Sequence, residues 1–323
     1  MKQQTASIIT IGDELLIGQT VDTNSAWMGH ALNGIGIWVH RRVAVGDNRE
    51  AILSALRAES RDADIILVTG GLGPTGDDIT KAVLSEYFGS PLVENAEVLS
   101  HIKEMFASRD GGLLDRNLRQ SWVPAACTVL ANSRGTAPGM WFEAQGKVYV
   151  SLPGVPHEMQ GIMTRQVLPR LNGHFALPAI VHRTLVTMGL GESLIAERLV
   201  TFEGALPSNI KLAYLPGDGL LKLRLTARDD VSQRTADELE QHFGVLREIL
   251  ADITVADEDM PPEQWIGRLL KDSGLTVSTA ESCTGGLIAH KITSEPGSSA
   301  YFKGTVVSYA NEVKRDVLGV SEG

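Results

Sequence analysis

The chain has 323 residues, of which 43% are hydrophobic and 21% charged, and its formal net charge is −10. This composition is typical of a folded protein with more than one domain and excludes a disordered chain, while the acidic balance argues against a general nucleic-acid binder. The two cysteines show no disulfide or zinc-ligand spacing, so we expect a reducing, cytoplasmic environment. We expect neither a secretory signal nor a membrane span, because no apolar run approaches about 20 residues.

Residues 1–170 alternate short apolar segments with helical patterns, which predicts an α/β domain of βαβ units around a mainly parallel sheet flanked by helices. The segment "DADIILVTGG" is the clearest buried strand, since it is apolar throughout and ends in glycines. Asp22, Thr23 and Asn24 are candidate N-caps of the first long helix. Ligands of open α/β sheets gather beyond the carboxyl ends of the strands, so we expect the functional site there.

The segment "VTGGLGPTGDDIT" lies at such a strand end and combines glycines with two adjacent acids. One interpretation is that Asp77 or Asp78 caps the helix that follows. The other is that Gly70, Gly71 and Gly73 present backbone N–H groups to phosphate oxygens while the acids hold a divalent cation that bridges to the same oxygens. The pattern is neither that of a P-loop nor that of a dinucleotide-binding Rossmann turn.

Further acids follow two other predicted strands. Asp13 and Glu14 lie in "TIGDELLIGQ", and Asp47 lies in "VAVGDNRE". Three strand ends that carry acids are the arrangement expected of a metal and phosphate site on a parallel sheet, although Asp is also an ordinary turn residue.

The segment "LPGVPHEM" contains no H-E-x-x-H zinc motif, because position 161 is glycine. We expect Pro153, Gly154 and Pro156 to shape a loop and Glu158 to enter the first turn of a helix. The alternative is that Glu158 contacts the ribose of a substrate or a metal ion.

The motifs "TIGDELLIGQTVDTNS", "VGDN", "VTGGLGPTGDDIT", "NSRGTAPGM" and "LPGVPHEM", in this order, resemble the N-terminal domain of the CinA family, which is similar to the molybdopterin-binding fold of MoaB and MogA proteins. The resemblance implies that Asp47 and Asp78 are the functional acids. It also implies a homodimer and hydrolysis of the ADP-ribose pyrophosphate to AMP and ribose 5-phosphate, dependent on a divalent metal ion such as Mg²⁺, Mn²⁺ or Co²⁺.

The residues assigned to the metal are Asp47, Asp77 and Asp78. Those assigned to substrate binding in this domain are Asp13, Glu14, Asn24, Gly70, Gly71, Gly73, Thr75, Gly154 and Glu158. The alternative to a hydrolase is a module that binds a pterin-like or nucleotide ligand without turnover.

Residues 171–259 predict a small α+β module with a hairpin around Pro216 to Gly219 and an amphipathic helix in "TADELEQHFGVLREIL". No catalytic pattern is recognisable in this region.

Residues 260–323 predict a partial α/β domain in the order helix, strand, glycine-rich turn, helix, strand and start of a helix. Its segments "TAESCTGG", "PGSS" and "VVSYANEVK" resemble the nicotinamide-nucleotide amidase domain found in many CinA proteins. The resemblance implies that Ser282 is the nucleophile in deamidation of nicotinamide mononucleotide, with Tyr309 and Lys314 as its base and support.

From the residues alone, Cys283 competes with Ser282 as nucleophile, since a thiol is intrinsically more reactive. Gly285 and Gly286 are candidates for phosphate or oxyanion binding. The amidase domains of the family continue well past Lys314, so we expect no strong amidase activity from the chain as written.

Overall fold

The alternating segments of the N-terminal region form strands and helices as predicted. The structure is a computed structural model that describes residues 3–107, 113–177, 179–217, 219–229 and 233–321. The first strands are β1 (Thr5–Ile11), β2 (Trp38–Val45), β3 (Ile65–Thr69), β4 (Leu92–Glu94), β5 (Trp122–Pro124), β6 (Thr128–Leu130), β7 (Gly139–Ala144) and β8 (Lys147–Leu152). The helices among them are α1 (Asp13–Leu16), α2 (Thr23–Gly34), α3 (Arg49–Asp62), α4 (Thr80–Tyr87), α5 (Ala96–Phe106), α6 (Asp115–Leu118), α7 (Pro156–Ile162) and α8 (Leu168–His174).

Six of these strands make one sheet in the order β2-β1-β3-β8-β7-β6. β1 pairs in parallel with β2 and β3, and β3 pairs in parallel with β8. β7 and β6 continue the sheet in antiparallel orientation. The expected mainly parallel sheet is therefore confirmed, and the carboxyl ends of its four parallel strands lie at one edge.

Both faces of this sheet are buried, as the apolar sequence of its central strands predicts. β3 is buried along its whole length. Its Ile65 and Leu67 pack in one core cluster with residues of α2, α7 and α8, whereas Ile66 and Val68 pack in the other with residues of α3 and α4. Helices thus cover the sheet on both sides, which leaves the strand ends as the place where polar side chains can meet.

The helix starts agree in part with the predicted caps. Asp22 is the N-cap of α2, where its carboxylate accepts a hydrogen bond from the backbone N–H of Ser25 at 2.9 Å. Thr23 and Asn24 lie inside the helix instead. Asn24 is thereby placed in the first turn, beside the end of β3.

Contacts divide the chain into two compact units, Met1–Val181 with Arg228–Gln233 and His182–Ala227 with Arg234–Gly323. The elements that follow α8 are β9 (Ala179–Met188), α9 (Glu192–Gly204), β10 (Ile210–Gly217), β11 (Leu220–Asp229), α10 (Gln233–Ile249) and β12 (Thr254–Ala256). Their sheet has the order β10-β11-β9-β12. The predicted hairpin is confirmed, since β10 and β11 pair in antiparallel register from Ile210 and Ala227 to Gly217 and Leu220; Asp218 at its tip lies outside the described residues.

The last elements also follow the predicted order. They are α11 (Pro262–Asp272), β13 (Val277–Glu281), α12 (Leu287–Thr293), β14 (Phe302–Val307) and α13 (Asn311–Asp316). β13 and β14 pair in parallel, with Glu281 opposite Val307 at the carboxyl ends. In the part of the chain that the structure describes, no helix is long and apolar enough to cross a membrane.

Leu67→Ala is expected to destabilise the N-terminal unit by about 2–5 kcal/mol, because Leu67 is fully buried and its truncation leaves a cavity between the sheet and its helices. Urea denaturation followed by circular dichroism measures the change in the free energy of unfolding. The matched control is Leu16→Ala, since Leu16 is 56% exposed and its truncation should change that free energy by about 0.5 kcal/mol or less. Equal effects of the two substitutions would contradict this account of the core.

Candidate functional site

Four loops meet at the carboxyl edge of the parallel strands. They follow β1, β2, β3 and β8, and backbone hydrogen bonds tie them together. The N–H of Gly12 donates to the carbonyl of Val45 at 3.0 Å, and the N–H of Gly70 donates to the carbonyl of Leu152 at 3.2 Å. Gly70 has φ +110°, and a side chain there would collide with the backbone of Ile11. Glycine is therefore required where these loops approach one another.

Asp13 and Asp47 form a reciprocal pair at this edge. The backbone N–H of Asp13 donates to Oδ2 of Asp47 at 3.0 Å, and the N–H of Asp47 donates to Oδ1 of Asp13 at 3.2 Å. Gly46 leaves room for the pair, since a Cβ at this position would lie 2.5 Å from Oδ1 of Asp13. The loops after β1 and β2 thus bring together Asp13 and Asp47, two of the strand-end acids that the sequence indicated.

The pKa of Asp47 is raised above its ordinary value. Burial is the main cause, and the charges of Asp13, Glu14 and Asp77 raise it further, while the hydrogen bond from the Asp13 backbone acts in the opposite direction. Asp77 itself is exposed, and hydrogen bonding within the loop lowers its pKa. The carboxylates therefore make a region of negative potential that favours a proton or a cation.

Asp78 faces its own glycine loop. Its Oδ1 accepts a hydrogen bond from the N–H of Gly73 at 2.7 Å, and its Oδ2 accepts from the N–H of Thr75 at 2.9 Å and from the Thr75 hydroxyl. α4 begins at Thr80, two residues after Asp78. Its N-cap residue is Ile79, which makes no side-chain hydrogen bond to the helix. The interpretation of Asp77 or Asp78 as a helix cap is therefore wrong, and Asp78 instead stabilises the turn from Gly73 to Thr75.

The glycines of this loop serve close packing. A Cβ on Gly73 would lie 2.5 Å from Oδ2 of Asp78. Gly71 has φ +64°, and a side chain there would collide with Thr80, whose hydroxyl donates to the Gly70 carbonyl at 3.0 Å. In this structure the N–H of Gly73 is bound by Asp78 and the N–H of Gly70 by Leu152.

Asn24 lies beside these loops in a cavity of about 440 Å³ that Glu14, Gly70 and Gly154 also line. Its Nδ2 donates to the Gly154 carbonyl at 2.7 Å and contacts Oγ1 of Thr69 at 3.4 Å. Its Oδ1 is buried and has no hydrogen-bond partner. Because a buried carbonyl oxygen without a partner is costly, this atom is a candidate acceptor for a ligand.

These oxygen donors fit a hard divalent cation in their chemistry, since Mg²⁺ and related ions bind carboxylate and amide oxygens. The mutual repulsion that raises the pKa of Asp47 is what such a cation would relieve. Among the described residues, however, no three His, Cys, Asp or Glu side chains are grouped as a complete ligand set. The oxygens of Asp78 are occupied by the loop, so Asp13 joins Asp47 and Asp77 as the acids best able to contact a cation.

Glu158 enters the first turn of α7 after Pro156, as predicted. Its Oε2 accepts a hydrogen bond from Nδ2 of Asn132 at 2.7 Å, and a side chain at Gly135 would collide with its carboxylate. In this structure Glu158 therefore joins α7 to the segment "NSRGTAPGM".

Three functional candidates were missed by the sequence analysis: Lys81, Arg116 and Arg119. They line a cleft on the side of the glycine loop that carries Asp78. Burial lowers the pKa of Lys81 to about 8, with the charge of Asp78 acting in the opposite direction. A lysine in the first turn of a helix opposes the helix dipole, and this was the only signal of Lys81 in the sequence.

Glu281 organises the candidate amidase residues and was also missed. It is buried at the end of β13, where its carboxylate accepts hydrogen bonds from the N–H groups of Gly286 and Ile288 at 3.0 Å and of Ala289 at 2.8 Å. Burial opposes ionisation, but these backbone donors and the Thr284 side chain lower the pKa of Glu281 overall. A lone acid before a glycine pair was the signal available in the sequence.

Ser282 follows Glu281 directly and is half-buried. Tyr309 follows the end of β14, where the N–H of Ser308 donates to the Glu281 carbonyl at 2.7 Å, so Ser282 and Tyr309 both lie beyond the same end of this strand pair. Within the described residues, no hydrogen bond joins Ser282, Tyr309 or Lys314 to one another; Tyr309 is 77% exposed, and Lys314 lies in α13.

The glycine turn after Ser282 is closed by internal hydrogen bonds. The N–H of Gly285 donates to the Ser282 carbonyl at 3.1 Å, and that of Gly286 donates to Glu281. As the turn stands, neither amide is presented to an anion. Cys283 is exposed.

Comparison with known proteins gives three family matches along the chain. The family described as "Probable molybdopterin binding domain" matches residues 7–173, "Damage-inducible protein CinA KH domain" matches residues 182–254, and "CinA C-terminal domain" matches residues 260–323.

Two relatives match almost the whole chain. A CinA-like protein of Flavobacterium psychrophilum is 46% identical over 319 residues, which cover 98% of this chain and 76% of the relative. A CinA-like protein of Salinibacter ruber is 41% identical over 319 residues, which cover 98% of this chain and 77% of the relative. Among solved structures, the protein CinA with unknown function from Thermoplasma acidophilum is 36% identical, with a TM-score of 0.47 over 50% of this chain and 94% of that one.

The amine of Lys81 is expected to titrate near pH 8, because its partly buried position disfavours the charged form. Competitive labelling of lysines as a function of pH, read by mass spectrometry, measures this value. Because the folded pKa lies below the ordinary 10.5, the folded chain binds fewer protons than the unfolded chain between these values, and the contribution of Lys81 to folding stability increases with pH over that window. Exposed Lys303 is the control, and a common titration midpoint for both amines would contradict the burial of Lys81.

Proposed function

Because the chain belongs to the CinA family, we propose that its N-terminal domain hydrolyses the pyrophosphate bond of ADP-ribose to AMP and ribose 5-phosphate with the aid of a divalent cation. The observation that supports this proposal most directly is the Asp13–Asp47 pair at the strand ends, close enough to the charge of Asp77 for the pKa of Asp47 to respond. Without a cation, such a group of carboxylates would repel a diphosphate.

A cation held by Asp13 and Asp77 would neutralise charge on the diphosphate oxygens and polarise phosphorus toward attack. Asn24 is suited to orient a hydroxyl group of the substrate, since its side chain is fixed by Gly154 and its Oδ1 has no protein partner.

We assign Asp47 as the group that accepts the proton of the attacking water. Its Oδ2 is fixed by the backbone N–H of Asp13, so its Oδ1 is the oxygen that faces this task. Burial, the largest cause of its raised pKa, favours the protonated form of Asp47 and so acts in the direction that general-base catalysis requires. Asp78 has a different part in this proposal: its carboxylate accepts the backbone N–H groups of Gly73 and Thr75 and so stabilises the glycine loop that precedes Asp77.

Purified protein is expected to form AMP from ADP-ribose in the presence of Mg²⁺, Mn²⁺ or Co²⁺ and not in the presence of a chelator. Asp47→Asn should lower kcat by about 10²–10⁴-fold, because the amide can accept the Asp13 hydrogen bond but cannot take a proton. Chromatography of the nucleotides measures the products, and Asp62→Asn, at an exposed position at the end of α3, is the control.

Asp78→Asn should also reduce turnover, by weakening the glycine loop. If folded protein forms no AMP with any of these metals, the hydrolase proposal fails, and the domain is better described as a module that binds a nucleotide or pterin-like ligand.

For the C-terminal region we propose, as a second activity, hydrolysis of the carboxamide of nicotinamide mononucleotide with Ser282 as nucleophile. The support in this chain is Glu281, whose hydrogen bonds to the following helix fix the turn that carries Ser282. A serine requires a neighbouring base, and we assign this role to Tyr309, which follows the adjacent strand of the pair, with Lys314 as its support.

Protein with a complete C-terminal domain is expected to release ammonia from nicotinamide mononucleotide, and Ser282→Ala should abolish this release because the proposed nucleophile is lost. Cys283→Ala is the matched control at the adjacent, exposed position and should retain most of the activity. A coupled glutamate dehydrogenase assay measures the ammonia. Loss of activity in Cys283→Ala with retention in Ser282→Ala would reverse the assignment.

A further inference from the structure

A second polar cleft lies beside the glycine loop, apart from the carboxylate pair. It has a volume of about 460 Å³ between the loop residues 73–78 and the segment 115–120. This segment comprises α6 and the 3-10 turn Arg119–Ser121. The volume lies within the range of sites that hold a nucleotide-sized ligand.

Gln120 forms the base of this cleft and is only 3% exposed. Its backbone carbonyl accepts a hydrogen bond from Nζ of Lys81 at 2.9 Å, and its Nε2 contacts the Leu72 carbonyl at 3.4 Å. Its Oε1 is buried and has no partner in the protein. An amide oxygen held in this way, in the lining of a cleft, is an acceptor ready for a hydroxyl or amino group of a ligand.

The charges around Gln120 favour an anion. Lys81, Arg116 and Arg119 line the cleft, together with the acids Asp78 and Asp115. The oxygens of Asp78 already accept hydrogen bonds from two backbone N–H groups and the Thr75 hydroxyl, and the three cations outnumber the two acids. Guanidinium groups present paired donors that match phosphate oxygens, and the lysine adds a third positive centre.

We propose that this cleft binds a phosphorylated ribose, with its phosphate on Arg116, Arg119 and Lys81 and a ribose hydroxyl on Oε1 of Gln120. The inference rests on the proposed function in that both halves of ADP-ribose, AMP and ribose 5-phosphate, contain this group. The cleft would then hold one end of the substrate while its diphosphate reaches across the glycine loop to the carboxylates, and Arg116, Arg119 and Gln120 would determine the specificity for phosphorylated sugars.

Isothermal titration calorimetry of the intact protein in the presence of a chelator tests the proposal independently of turnover. The probes are AMP, ribose 5-phosphate and ribose. The double variant Arg116→Gln/Arg119→Gln should weaken binding of the phosphorylated probe by about tenfold or more, since two charge-assisted contacts are lost. Gln120→Met should weaken it by about threefold to tenfold through loss of one neutral acceptor. Arg57→Gln, at an exposed position on α3, is the matched control and should bind as the wild type does.

If the arginine substitutions lower the affinity for AMP more than that for ribose 5-phosphate, the cleft binds the adenylate half of the substrate. The reverse result would assign the cleft to the sugar-phosphate half. Ribose alone should bind weakly to the wild type and to every variant. Unchanged affinity of the double variant for both phosphates, in protein that still hydrolyses ADP-ribose, would overturn this inference and leave the proposed function intact. Phosphate binding that depends on the two arginines, in protein without any turnover, would support the inference and overturn the proposed function. Failure of both AMP and ribose 5-phosphate to bind the wild type at millimolar concentration would also overturn the inference.

Discussion

Repulsion between carboxylates at one edge of the N-terminal sheet is the constraint around which the candidate site is built. Asp13, Glu14 and Asp77 all raise the pKa of Asp47, in addition to the effect of burial. A folded-state pKa above the ordinary value means that the charged form opposes folding, so this group contributes less to stability as the pH rises through that pKa. The buried core on both faces of the sheet must offset this cost.

The geometry of the loops allows these carboxylates to lie close together. The loops approach so closely that Gly46 and Gly70 leave no room for a side chain, and each carboxylate of the Asp13–Asp47 pair accepts the backbone N–H of the other residue. Backbone donors thus replace part of the lost hydration without removing the negative charge. A site with these properties retains strong attraction for a cation, and a cation would in turn make it attractive to phosphate.

The glycine loop separates two regions of opposite charge. Acids lie on the side of Asp47, whereas Lys81, Arg116 and Arg119 lie on the side of the cleft. A ligand that carries a diphosphate between two sugars is anionic in its centre and has polar ends that can bind separately. The cleft also contains Asp78 and Asp115, but its three basic groups outnumber these two acids, so it keeps a net positive charge.

The fold was predictable from the sequence because it depends on local periodicity. The continuous apolar run of β3, the hairpin of β10 and β11 and the element order after Pro261 each follow from a pattern within a few residues. The site was predictable only where acids follow strands, because the carboxyl ends of parallel strands necessarily meet. The contact of Lys81 with Gln120 joins residues 39 positions apart, and no local pattern reveals it.

The interpretation of Asp78 as a helix cap failed for a related reason. An acid before a helix resembles a cap, and whether it caps depends on where the helix begins; here α4 begins at Thr80, after Asp78 has turned back toward Gly73.

Glu281 in the other unit resembles Asp78, because its carboxylate also accepts hydrogen bonds from backbone N–H groups of a neighbouring glycine turn. Both carboxylates lie next to a glycine turn beyond the end of a strand, and each accepts hydrogen bonds from at least two backbone N–H groups. For Glu281 these donors lower the pKa, so the carboxylate stays ionised at neutral pH and its hydrogen bonds continue to stabilise the turn. A carboxylate held in this way is a poor proton acceptor, because each backbone donor stabilises its charged form. The hydrolysis proposed for the N-terminal unit therefore assigns proton transfer to Asp47, whose pKa is shifted in the opposite direction.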